Sequence, residues 1–249
     1  MATANPAMSP EVYRRAGLAE TPTRAMTLRG TVLKTALLVA ILLTTAAYTW
    51  AQAAGGAVPV AYALLVVGAL GGFLTALLTV FVPKLSPFTA PVYAALEGLF
   101  LGGVSAAFEA AYHGVVVQAL GLSVGVLAVM LFLYGTGVVR ATEKFKIGVA
   151  AATGAVCLVY LVDLVASFFG TRLPFIHETG AVGIGFSLVV VVIAALNLIL
   201  DFDFVEQGVK REAPRYMEWY GGFSLLVTLI WMYLEILRLL AKVRGGSQG

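Results

Sequence analysis

The chain has 249 residues, of which 60% are hydrophobic and 12% charged, and its formal net charge is +3. A water-soluble domain carries about 25% charged residues, so this composition excludes a soluble globular protein. Scattered basic residues suit the setting of membrane topology better than nucleic-acid binding, and long apolar runs without alternation exclude a membrane barrel.

What remains is an all-α, polytopic membrane bundle, with runs that each cross roughly 30 Å of hydrocarbon. Residues 1–31 read as a cytoplasmic leader. Arg14, Arg15, Arg24 and Arg29 precede any apolar core, so this is not a signal peptide. Seven spans are predicted at 32–53, 57–82, 88–111, 114–138, 146–169, 180–204 and 220–242, followed by a flexible tail at 243–249. Ala54-Gly55-Gly56 separates the first two, and Pro83-Lys84-Leu85-Ser86-Pro87 separates the next two. Tyr112-His113-Gly114 must form a tight helical hairpin. Without it the count falls to six and every later span reverses.

Arg140 to Lys146 divides the fourth span from the fifth, and Gly170 to Pro174 ends the fifth. Lys210 to Arg215 is the most polar connection. With the N-terminus inside, Lys84, Arg140, Lys144, Lys146, Lys210, Arg211 and Arg215 join the leader arginines, and the opposite connections hold only Arg172. Seven spans place Lys242 and Arg244 outside, which counts against that topology.

Gly68 and Gly72, and again Gly98 and Gly102, have the spacing that lets helix backbones approach, here within one chain. Cys157 reads as a buried packing thiol. Trp50, Trp219, Tyr220 and Trp231 read as anchors at the membrane interface.

The informative side chains are acids within the apolar runs, because a mid-membrane carboxylate needs a partner, water or a cavity. Glu97, Asn197, Asp201 and Thr228 are expected to form an inner polar cluster, with Asp203 at its mouth. Glu97 reads equally as an ion-pathway carboxylate and as a neutral acid bonded to a neighbouring helix. Asp201 and Asp203 flank Phe202 and therefore point to different faces; Asp201 continues the Asn197 face and is the one expected inside. Asp163, Glu235 and Arg238 are expected to form an outer ion-paired layer, with Arg238 one turn beyond Glu235. His113 and His177 are loop residues without zinc-site spacing. There is no phosphate-cradling glycine loop and no GxSxG, so an enzyme is not expected and no cofactor is implied.

The run Leu196-Asn197-Leu198-Ile199-Leu200-Asp201-Phe202-Asp203-Phe204-Val205-Glu206-Gln207-Gly208 resembles the sixth helix of the Bax inhibitor family. Tyr220 to Leu226 and Tyr233 to Leu240 resemble its terminal helix. Ser86 to Gly103, together with Asn5-Pro6, is similar to a bacterial branch. The resemblance implies a bundle whose last helix is surrounded by six others. It also implies a pH-sensitive calcium leak governed by an acidic pair between the last two helices, in a bacterial inner membrane. The sixth-helix acid falls at Asp201 or Asp203, either of which would meet a bound Ca2+. The seventh-helix acid falls at Thr228, a departure that removes the shared proton, and Glu97 or Glu235 is the candidate to replace it.

The leading expectation is thus a cation leak with Ca2+ as the transported or bound ion and the lipid bilayer as its partner. The alternative is a non-transporting regulator or scaffold acting on a membrane-protein partner, such as a protease or a stress-response component. A secondary transporter lacks the expected inverted repeats.

Overall fold

A computed structural model describes residues 25–171, 173, 176 and 178–246. The leader up to residue 24, Arg172, His177 and residues 247–249 lie outside the described residues. Seven long helices are present: α1 (Leu28–Ala54), α2 (Val58–Phe81), α3 (Ser86–Ala111), α4 (Val115–Gly135), α5 (Glu143–Phe168), α6 (Ala181–Lys210) and α7 (Met217–Gly246), with a 3-10 turn at Pro83–Leu85 before α3. All seven are long and apolar enough to cross a membrane. Among the described residues there is no strand, only an isolated bridge between Ala25 and Pro214.

Local chemistry sets the boundaries. α1 begins at Leu28 rather than 32 because the Thr27 hydroxyl accepts from Gly30 N at 3.0 Å, capping the first turn. Thr142 caps α5 in the same way, accepting from Phe145 N. α6 runs past 204 to Lys210, where an exposed Glu206–Lys210 pair supports its last turn. α7 continues to Gly246, so Arg244 is helical rather than part of a tail. The connection at 112–114 exists as expected: Gly114 takes φ 77°, a backbone conformation that glycine adopts without steric cost.

The chain forms two compact units. The first holds the described residues up to Ala111 together with Asp203–Val227; the second holds Tyr112–Phe202 and the residues from Thr228 onward. In the first, α3 packs against both α1 and α2. Gly98 lies against the Leu42 carbonyl and the Thr45 side chain of α1, and Gly102 against the Ala46 carbonyl. A Cβ on Gly68 would sit 2.5 Å from the Leu96 carbonyl oxygen of α3. Both glycine pairs therefore work inside the chain, as their spacing predicts. Tyr93 meets Phe223 edge-on at 4.9 Å, and Tyr220 lies beside Phe204 at 5.9 Å.

In the second unit, α4 and α5 accompany most of α6 and the later turns of α7. The last two helices are the most enclosed of the seven. Burial covers 56% of the apolar window of α7 and 50% of that of α6, against 17–33% elsewhere.

Three expectations need correction. Cys157 is exposed rather than buried, because it follows the inward-facing Val156 by about 100° around α5 and so leaves the packed face. Tyr220 is fully buried in the aromatic cluster of the first unit instead of anchoring an interface. Trp231 likewise lies mid-helix in α7, not at a span end.

Candidate functional site: polar layers of the second unit

The α5 and α6 helices bring Thr153 and Asn197 together: Asn197 Nδ2 donates to Thr153 Oγ1 and to the Ile193 carbonyl, both at 2.8 Å. The first contact ties two helices and the second is an i−4 backbone bond. One turn later Asp201 has no exposed surface, whereas Asp203 is half-buried. A helix advances about 200° over two residues, so the two acids leave α6 on different sides. Thr228 of α7 is also buried. Asn197, Asp201 and Thr228 all belong to the second unit, while Glu97 and Asp203 belong to the first.

A second layer surrounds Glu235. Its side chain is almost wholly buried, and Arg238 Nη1 donates to its two oxygens at 2.9 and 3.1 Å. Tyr160 of α5 donates its hydroxyl proton to the same carboxylate at 2.9 Å and accepts from Arg238 Nη1 at 2.6 Å. The guanidinium also lies over the Tyr160 ring, 5.0 Å from its centre. The acid, phenol and cation form a closed triangle in which the buried charge is neutralised and its lone pairs are filled. That geometry is what a buried ion pair needs to offset its desolvation.

One turn beyond, the buried Lys242 ammonium donates to the Gly183 carbonyl at 2.9 Å and to Ser187 Oγ at 2.7 Å, both on α6. Arg244 then donates to the His113 carbonyl and, at 2.9 Å, to Gln118 Oε1 of α4. The end of α7 thus meets the starts of α4 and α6, the arrangement that seven alternating crossings demand. The objection raised by a basic helix end loses force, since both cations are held by protein oxygens. Asp163, expected in this layer, accepts from Leu173 N at 2.9 Å beyond the end of α5.

The first unit holds its own tie. Glu218, in the first turn of α7, is buried; its Oε1 accepts from Thr27 N at 2.9 Å and Thr27 Oγ1 at 2.8 Å, and Lys34 pairs with Oε2. Met26 N donates to the Ala213 carbonyl at 2.7 Å, and Ser86 Oγ to the Tyr216 carbonyl at 3.0 Å. The starts of α1, α3 and α7 therefore share one end of this unit. Glu97, half-buried on α3, sets its carboxylate against Gly72 of α2.

Tyr160, Thr153, Ser187, Lys242 and Glu218 are the participants that sequence reasoning missed. Glu218 is detectable as an acid in the first turn of a span, and Tyr160 as a phenol one turn from Asp163. Among the described residues, no three or more His, Cys, Asp or Glu side chains group closely enough to hold a metal ion.

The family model described as Bax inhibitor 1 like matches residues 5–245. No curated protein and no solved structure matches the chain.

Proposed function

The chain belongs to the Bax inhibitor 1 like family, and from that premise we propose that it is a cation leak whose flux responds to pH through Asp201. The family and the seven apolar helices make it a multi-pass membrane protein. The observation that carries the proposal is the complete enclosure of the Asp201 carboxylate, one turn from Asn197, while Asp203 two residues on is only half-buried.

A carboxylate held away from water changes its environment sharply when its charge changes, and supplies an oxygen ligand to a hard cation only while ionised. Thr228 offers a hydroxyl and no second titrating group, so the reading is of a single-acid control rather than a shared proton. Ca2+ is the proposed cargo and lipid the surrounding partner; no enzymatic step or cofactor enters the reading. The proposed setting is a bacterial inner membrane, with the N-terminus in the cytoplasm.

The test is calcium uptake into proteoliposomes at acidic and neutral pH. Asp201→Asn is expected to abolish the pH dependence, while Asp203→Asn retains it. A second reading, a non-transporting regulator, is favoured by the way Glu235, Arg238 and Lys242 are all held by protein groups, as in a bundle that moves nothing. Flux no greater than that of empty vesicles at either pH would select it.

A further inference from the structure

We propose that Glu97 is a reversible proton-binding site, reached between α2 and α3 from the end where α3 begins. The two helices pack antiparallel in a register fixed at three points. Leu65 lies against Gly103, Gly68 against Phe100, and Gly72 against Glu97, where a Cβ on the glycine would lie 2.5 Å from the carboxylate. Gly72 thereby leaves room for a carboxyl group inside a helix contact that is otherwise backbone on backbone.

Continued toward the start of α3, the same register brings Thr75 level with Tyr93 and Thr79 level with Thr89 and Ala90. Thr79, Thr89 and Tyr93 are buried. Thr75 donates to the Gly71 carbonyl at 2.7 Å, Thr79 to the Thr75 carbonyl at 2.8 Å and Thr89 to the Leu85 carbonyl at 3.1 Å. Each hydroxyl keeps lone pairs that can accept from water or a hydrated proton. Hydroxyls thus accompany this seam from the turn at Pro83–Leu85 up to the carboxylate.

The charges facing Glu97 are few. α2 has no Asp, Glu, Lys or Arg from Val58 to Phe81. α1 meets this part of α3 with Leu42, Thr45 and Ala46. On α3 the titratable neighbour is the Tyr93 phenol one turn earlier, and α7 contributes Phe223, with Tyr220 behind it. Of the two cations on α1, Arg29 lies in its first turn and Lys34 is already paired with Glu218. Binding and losing a proton is the chemistry open to a carboxyl group so placed.

The inference does not depend on the cation-leak reading. Its test is dicyclohexylcarbodiimide, a membrane-soluble reagent that adds to protonated carboxyl groups. The acid proton moves to one carbodiimide nitrogen, the carboxyl oxygen bonds to the central carbon, and the acyl group then shifts to the other nitrogen; nothing leaves. In wild-type proteoliposomes, mass spectrometry should find the adduct on Glu97. Its yield should fall about tenfold per pH unit once the group is mostly ionised. Glu97→Gln should abolish the adduct and Asp201→Asn should retain it. Thr79→Val should slow the response of labelling to a pH jump by about tenfold, the cost of roughly one lost hydrogen-bonding step. No adduct on Glu97, or a yield indifferent to pH, overturns the proton site; an unchanged response in Thr79→Val overturns the route.

Discussion

Helices α1, α2 and α3 meet where side chains are missing, whereas α5, α6 and α7 meet where polar side chains are longest. At Gly98 and Gly102 the carbonyls of α1 come within reach of α3 itself; at Glu235 a carboxylate, a guanidinium and a phenol span the gap between α5 and α7. Lipid tails are as apolar as leucine, so in a bilayer neither group of helices is driven together by water. Close packing and polar contacts are the two remaining sources of cohesion. Each unit relies mainly on one of them, and the two respond differently to substitution.

The largest expected effect breaks the polar side of this contrast. Glu235→Ala leaves Arg238 partly buried without its counter-charge, and should cost about 3–5 kcal/mol in reversible unfolding from detergent micelles. Replacing both partners, as Glu235→Gln with Arg238→Met, should recover most of that loss; equal costs for the single and double variants would show that the pair is not the source of cohesion.

Next comes the packing side. Gly102→Val forces bulk against the Ala46 carbonyl and should cost about 1–3 kcal/mol in the same measurement, with local opening in α1 and α3 seen by hydrogen exchange. Protection unchanged along α1 would contradict the backbone contact. The smallest effect sharpens the comparison by removing a neutral contact. Asn197→Leu deletes the bond to Thr153 and should cost only about 0.6 kcal/mol, the usual scale for a neutral interhelical bond in lipid. A loss as large as that at Glu235 would place the strength of the second unit in its neutral contacts instead.

Much of this fold could be read from the residues, and the limit of that reading has one cause. The seven apolar runs, the turn at Gly114, the glycine pairs and the i, i+3 spacing of Glu235 and Arg238 are local signals and survive in the structure. The preference for Asp201 over Asp203 as the inward acid followed from helical phase alone.

What failed was the choice of inner face where both faces are apolar. In water a polar stripe marks the outside of a helix; in lipid, Cys157 and the inward Val156 carry no such contrast. For the same reason Tyr160 gives no sign of its partner on α7, and Lys242, placed outside by the seven-span topology, is a buried donor to Gly183 and Ser187. Tyr220, read as an interfacial ring from its place near the start of a span, is instead enclosed among Phe204 and Phe223.

The helix α7 gives Met217–Val227 to the first unit and the turns from Thr228 to the second. It therefore carries Glu218 and Glu235, each the acid at the centre of a tie with residues far earlier in the sequence. During synthesis the earlier helices enter the membrane before either acid has been made. Thr27 and Lys34 must wait for Glu218, and Tyr160 for Glu235. Assembly of both units is then gated by one late event, so a ribosome stalled before α7 would leave six inserted helices with neither tie formed.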